Sequence, residues 1–305
     1  MIRPLRDRWA GSLTDGLNRW SVDAVLVAVL WQWIFVTGFC RRQPRPGEFL
    51  SLAGCVWLIY VADRLLDARR LDLARPHTAR HRFVYDHATL LTVLWALVLA
   101  GTVAVVLWCL DAAVIRGGLV VASAVLAYGV IVHSPRRSAR LQSWKELAVG
   151  SLFAVGVSLV VWVERRSSVA GWPLVVATCC AAILFTANCV LVAAGEREQD
   201  RQQGFSSFAQ TRPAASRPLL AASWLVMPIA VVLGAAGQMP ARVAVALTAA
   251  VPVMLGPLVW RAAVRRGSAG WRKPVRVEPD PNSDAQTWWD TALWLVPAAT
   301  VWWWG

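Results

Sequence analysis

The residues able to do chemistry in this chain are its few acids. Of 305 residues only 18 are Asp or Glu, and six of these fall in two short runs. YVADRLLDARRLD carries Asp63, Asp67 and Asp72, and GEREQDRQQG carries Glu196, Glu198 and Asp200. Each run closes an apolar stretch and holds two acids four residues apart, Asp63/Asp67 and Glu196/Asp200. On a helix, positions i and i+4 share a face with Cβ atoms about 5–6 Å apart. Carboxylates held that close repel each other, and without a cation one of them tends to take up a proton. The two pairs stand at the same offset of 133 residues, as an internal duplication would leave them. Opposed acidic pairs across a cavity suit divalent ions bridging to a diphosphate. Mg²⁺ takes one or two carboxylates and fills its remaining positions with phosphate oxygens and water. The competing reading pairs each acid with a neighbouring Arg, and Arg64, Arg69, Arg70, Arg197 and Arg201 are all close by.

The elements that must position these acids are membrane helices. The chain is 57% hydrophobic and 16% charged, with mean hydropathy +0.49. Soluble domains run nearer 45–50% apolar and about 25% charged, so a soluble globular enzyme is excluded. Ordinary Gly (20) and Pro (16) usage without a short period excludes disorder and fibrous repeats. A crossing helix needs about 20 apolar residues. Nine segments qualify: 20–39, 49–66, 88–110, 117–134, 146–163, 171–194, 218–238, 241–260 and 286–304. The expected architecture is all-α and polytopic, with residues 1–19 as a cytoplasmic N-terminal segment and 20–305 as one nine-helix transmembrane domain. The second segment reads as short because Asp63 interrupts it, and Pro252 with Pro257 reads as a kink in the eighth. Residues 1–19 lack the apolar core of a cleavable signal, so the first segment is expected to remain as a span.

The net charge of +13 lies in the loops between apolar segments, and only Lys145 and Lys273 of the 31 basic residues are Lys. That distribution points to topology and lipid contact, not to nucleic acid. With nine spans, 24 of the 31 basic residues share the face of the N-terminus and 7 lie on the other. The positive-inside rule then makes the N-terminus cytoplasmic in an integral cell-membrane protein. RRQPR at 41–45 is the one basic cluster on the expected outer face.

The remaining polar types carry less. Six Cys without a CxxC exclude a structural zinc and a disulfide framework and read as small buried residues. The 19 Trp gather at segment ends, as in an interfacial belt. His77 and His81 have metal-ligand spacing, but their Arg-rich surroundings favour a polar interfacial loop. His133, beside Pro135, reads as a helix-end residue, and Asn188 as a hydrogen-bonding residue between helices.

These motifs resemble the UbiA superfamily of intramembrane prenyltransferases. Its first signature, NDxxDxxxD, follows the second helix, where this chain has IYVADRLLD; Asp63 and Asp67 match its last two acids. Its second, D-x-E-x-D-R-x-x-G, follows the sixth helix, where this chain has EREQDRQQG; Glu196, Glu198, Asp200, Arg201 and Gly204 match. Between them, YGVIVHSPRRSARLQSWKELAVG resembles the family's central segment through Tyr128, Arg136, Arg137, Lys145 and Gly150, and RPHTARH at 75–81 falls where the family has Arg-Pro. Ile59 and Tyr60 replace the leading Asn-Asp, which leaves fewer metal ligands.

The resemblance implies nine helices around a central cavity. Mg²⁺ would be held by Asp63, Asp67, Glu196 and Asp200. An isoprenoid diphosphate would be held by Lys145, Arg136, Arg137, Arg70 and Arg201. Tyr60, Tyr128 and Asn188 would line the substrate cavity, and a lipophilic or aromatic acceptor would receive the prenyl group. No single residue stands out as catalytic. Two rival readings use the same residues: a UbiA-like protein that binds lipid without catalysis, which the missing Asn-Asp favours, and a transporter built on paired intramembrane acids. The basic-residue split itself is testable. Reporter fusions after Arg140 and after Arg217 should both read cytoplasmic, and an external reading at either point overturns the nine-span arrangement.

Overall fold

The computed structural model describes residues 16–75, 77, 79–133, 144–164, 171–204, 208–211, 213–268 and 285–304. Among them every regular element is helical. In chain order these are α1 (Val22–Phe35, continued by a π-turn over Val36–Cys40), α2 (Pro46–Ala68), α3 (Ala79–Asp86), α4 (Ala88–Cys109), α5 (Ala112–His133), α6 (Lys145–Glu164) and α7 (Gly171–Gly195). After them come α8 (Arg197–Gln203), α9 (Phe208–Thr211), α10 (Pro213–Ser223), α11 (Val226–Ala235), α12 (Ala241–Ser268) and α13 (Ala285–Trp304). Seven stretches among the described residues are long and apolar enough to cross a membrane: α1 with its π-turn, α2, α4, α5, α6, α7 and the run Pro218–Ala235. The protein is an integral, multi-pass membrane protein. Helices α12, apolar over Ala241–Gly256, and α13 stand where the eighth and ninth apolar segments were read.

Two boundaries differ from the sequence reading, each for a local reason. Asp63 does not shorten the second helix, because α2 runs on to Ala68 and carries both Asp63 and Asp67. The seventh segment is split at Trp224 and Leu225. Pro228 has no N–H to offer the Trp224 carbonyl, which instead accepts from Met227 N at 3.3 Å. Pro252 and Pro257, read as a kink, both lie within α12, which is helical through them.

Helix α1 is the centre of the bundle. Trp31, Ile34 and Phe35 are fully buried, and α2, α6, α12 and α13 pack around it. Helix α6 lies along α7, α4 lies on α2, and α5 lies on α6. Helices α4 and α5 are peripheral, with Leu97, Leu107, Leu126 and Val130 facing outward, as expected of surfaces that meet acyl chains. The Cys reading holds for Cys180, which is buried, but Cys55, Cys109 and Cys179 are exposed; all six are free thiols.

Lipid gives helices little hydrophobic reason to associate, so close backbone approach at small residues does much of the packing. Gly150 of α6 shows this against α7. A Cβ there would stand 2.5 Å from the Thr186 backbone nitrogen and 2.7 Å from its Cα. At the end of the bundle holding the α1–α2 turn, Arg42 is clamped by two acids. Its Nη1 and Nη2 donate to Glu48 at 2.9 and 2.6 Å, its Nε donates to Glu164 at 3.0 Å, and its Nη2 also meets Glu164. The hydrogen bonds it donates to Glu48 keep the Arg42 guanidinium protonated well above its ordinary range. Arg45 pairs with Asp111 at 2.6 Å, and its N–H donates to Glu48 at 2.8 Å. Arg42 and Arg45 of the RRQPR cluster are thus matched by acids from α2, α6 and the α4–α5 connection.

The Gly150 crossing predicts a stability effect. Gly150→Ala forces α6 and α7 apart, an overpacking cost of about 1–3 kcal/mol. It should lower the thermal midpoint in detergent, whereas Gly156→Ala, where no heavy atom lies within 4 Å of the added Cβ, should be neutral or stabilising.

Candidate functional site

At the end of the bundle opposite Arg42, α2, α5 and α7 finish and α1 and α6 begin. Between them lies a cavity of about 290 Å³. Antiparallel neighbours bring distant sequence positions to one place here: α2 delivers Tyr60, Asp63 and Asp67, α5 delivers Tyr128 and His133, α6 delivers Lys145, and α7 delivers Asn188 with Glu196 just beyond its end.

Asp63 is the junction. His133 Nε2 lies 3.1 Å from Asp63 Oδ1 and reaches it from α5; with the carboxylate charged, Nε2–H donates. Lys145 at the first position of α6 lies within electrostatic range of Asp63, Asp67, Tyr128 and Glu146. Arg70 does not line the cavity. Its Nη2 donates to the His133 carbonyl at 2.8 Å and ties the turn after α2 to the end of α5. The neighbouring Arg64 donates to the carbonyls of Asn18 and Arg19. Among the acids of the first cluster, Asp72 does pair with an Arg of its own loop, Arg75, at 3.0 Å.

The second cluster is arranged differently from its sequence reading. Helix α7 ends at Gly195, Glu196 sits in a bend, and a new helix, α8, starts at Arg197. Glu196 and Asp200 therefore do not lie on one continuous helix, and the face-sharing argument that holds for Asp63/Asp67 fails for them. Glu196 is 7% exposed and lines the cavity. Asp200 lies on α8, its side chain outside the described residues. Arg201 is on α8 and is not part of the cavity wall. Gly204 ends that helix at φ 78°, a left-handed conformation that Gly adopts at little cost. Arg136 and Arg137 lie outside the described residues. His77 is not on a helix with His81: α3 begins at Ala79, His77 Nδ1 contacts the Arg75 carbonyl, and only His81 reaches the cavity.

Three contributors were not singled out from the sequence, Asp23, Glu146 and Asn18, while His133, read as a helix-end residue, does end α5 and also lines the cavity. Asp23 is 8% exposed on α1, and its Oδ2 accepts from Asn18 Nδ2 at 2.9 Å. Glu146 Oε1 accepts from the Phe208 N–H at 2.9 Å. Asp23 Oδ1, His133 Nδ1 and Glu146 Oε2 are buried without a hydrogen-bond partner among the described residues. Buried polar atoms of this kind cost free energy until something meets them, and here they border an open cavity. One signal for Asp23 existed: it is an acid inside an apolar segment, a costly placement that usually marks function.

The donor set fits a hard divalent cation in kind, since Asp63, Asp67 and Glu196 offer carboxylate oxygens to one space. Among the described residues no three His, Cys, Asp or Glu side chains are pre-assembled as a metal cluster. A Mg²⁺ site of one or two carboxylates completed by phosphate oxygens needs no such cluster. Among the described residues the wall carries five carboxylates, Asp23, Asp63, Asp67, Glu146 and Glu196, against two permanent cations, Arg64 and Lys145.

No family model, curated protein or solved structure gives a significant match to the chain.

The Asp63–His133 contact is separable from pairing with neighbouring Arg. A double-mutant cycle of Asp63→Asn with His133→Gln should give a coupling of about 0.5–3 kcal/mol in unfolding free energy. The same cycle with Arg69→Gln should give almost none. Equal coupling in both cycles would return Asp63 to the local-Arg reading.

Proposed function

We propose that this protein is an intramembrane prenyltransferase of the UbiA type, with nine crossings and a cytoplasmic N-terminus. It transfers a prenyl group from an isoprenoid diphosphate to a lipophilic or aromatic acceptor within the membrane. One observation carries the reading: Asp63 and Asp67 of α2, Glu196 at the end of α7 and Lys145 of α6 border a single cavity although they are far apart in sequence. The sequence resemblance assigns metal and diphosphate contacts to these same four residues.

In this reading Asp63, Asp67 and Glu196, with Asp200, would hold Mg²⁺, which would supply the positive charge that offsets the departing diphosphate. Lys145 holds phosphate oxygens, with Arg136 and Arg137 contributing from the α5–α6 connection. The bond between the allylic carbon and the diphosphate oxygen breaks, and its electron pair leaves with the diphosphate. The acceptor bonds to that carbon and loses a proton. Tyr60, Tyr128 and Asn188 form the wall against which the donor is oriented.

A second reading has its own observation. Ile59 and Tyr60, at the places of the family's Asn-Asp, both face the cavity, so two ligand positions of the first motif carry no metal ligand. A lipid-binding protein without turnover fits that loss.

Calorimetric titration of the purified protein with Mg²⁺ and geranyl diphosphate tests the site. Asp67→Asn should weaken both ligands together by roughly 10–100-fold, the loss of one charged contact. Lys145→Ala should weaken the diphosphate by a similar factor and Lys273→Ala should not. An unchanged Mg²⁺ affinity in Asp67→Asn overturns the metal site. Diphosphate binding without Mg²⁺-dependent release of diphosphate favours the second reading.

A further inference from the structure

We propose that an anchored aromatic floor limits the apolar chain this cavity accepts, so that the donor carries a ten-carbon prenyl group and excludes longer ones. This rests on the prenyl diphosphate reading and adds the identity of the donor to it.

The cavity changes character along its depth. Asp63, Asp67, Lys145 and Glu196 line it at or near helix ends, and Val27, Phe153, Phe185 and Leu293 line it further along α1, α6, α7 and α13 into the bundle. Two helices measure the distance between these zones. Lys145 to Phe153 is eight residues of α6, about 12 Å of helix rise, and Phe185 to Glu196 is eleven residues of α7 and the bend beyond it, about 16 Å. The two bracket one depth because α6 and α7 lie side by side, with Gly150 against Thr186.

The floor is built to resist displacement. Phe153 and Phe185 pack edge to face at 4.9 Å, and Phe185 packs edge to face on Trp31 at 5.5 Å. Trp31 is fully buried, and its Nε1 donates to the Leu293 carbonyl at 3.0 Å. An aliphatic floor yields by changing rotamer, whereas this one is three interlocked rings with the last one pinned to α13.

Chain geometry then selects the length. An extended chain advances roughly 1.3 Å per carbon, so the eight main-chain carbons of a geranyl group span roughly 10 Å. With its diphosphate at the charged helix ends, that chain reaches the rings. A farnesyl group adds four main-chain carbons, roughly 5 Å more, and meets them. The volume agrees, since about 290 Å³ is at the lower limit of the ~300–1,000 Å³ typical of small-molecule pockets.

The test uses the full-length protein in detergent with Mg²⁺, titrated with geranyl, farnesyl and geranylgeranyl diphosphates. The wild type should bind the geranyl compound about tenfold or more tighter than the geranylgeranyl compound, the scale on which a misfit in an apolar pocket is felt. Phe153→Ala should open the floor and shift the preference from geranyl toward farnesyl diphosphate by a similar factor. Phe185→Leu, which keeps most of the volume, repeats the test if Phe153→Ala does not fold. Lys145→Ala should weaken all three lengths equally. Equal wild-type affinity for the three lengths, or unchanged preference in the floor variants, overturns the length limit and leaves the donor class standing. Failure of every diphosphate to bind overturns both.

Discussion

A carboxylate at the end of a membrane helix persists only where cations and hydrogen-bond donors meet it, and in this protein the meeting point is Asp63. Its partners come from two other helices, His133 closing α5 and Lys145 opening α6. Helix α5 otherwise packs along α6 and exposes most of its surface, so the Asp63–His133 contact, with the Arg70 bond to the His133 carbonyl, ties it across to α2. Low dielectric strengthens these interactions and makes their loss costly. The cavity exists because three helix ends converge on that charge without filling the space beside it.

The other end of the bundle solves a mirror problem. Helix α2 begins with Glu48 and ends with Asp63 and Asp67; α6 begins with Lys145 and ends with Glu164. Both helices are therefore held by charge at both ends, by Arg42 at one and by the cavity network at the other. The Arg42 network is satisfied internally, with a forked contact to Glu48, which is 3% exposed. The cavity network is not: three of its buried polar atoms lack partners among the described residues. That asymmetry separates a structural clamp from a candidate binding site, since both are clusters of charge at helix ends and the second borders open volume.

Much of this was legible in the sequence, and the parts that were not share a cause. The apolar segments were readable because each is long enough to cross a bilayer, and every described span falls within a few residues of its segment. Asp63 and Asp67 were readable because both sit on one unbroken helix, where spacing implies a shared face. Glu196 and Asp200 have the same spacing, but Glu196 sits in the bend after Gly195 and Asp200 on α8, so no one unbroken helix carries them. Asp23, His133 and Glu146 are single residues without a spaced partner, and periodicity has nothing to say about them. RRQPR looked out of place because its matching acids, Glu48, Glu164 and Asp111, come from three separate parts of the chain. Pairings set by tertiary convergence leave no local pattern.

The charge balance of the cavity constrains any ligand more tightly than its shape. Among the described residues the wall carries five carboxylates against Arg64 and Lys145, and in low-dielectric surroundings each carboxylate charge repels a bare diphosphate. In the prenyltransferase reading cations enter with the diphosphate, so the affinities for metal and for diphosphate are thermodynamically linked, each raising the other by the same factor. Ile59 and Tyr60 bear on this balance. Asp at position 60, where the resembled motif has it, would add another negative charge to a wall already in surplus and would demand a further cation. Its replacement by Tyr lowers the cation requirement of the empty site at the expense of a metal ligand. In the prenyltransferase reading this chain therefore works with fewer carboxylate ligands per metal, and phosphate oxygens supply more of the coordination. Metal would then be held weakly before the donor arrives and firmly afterwards.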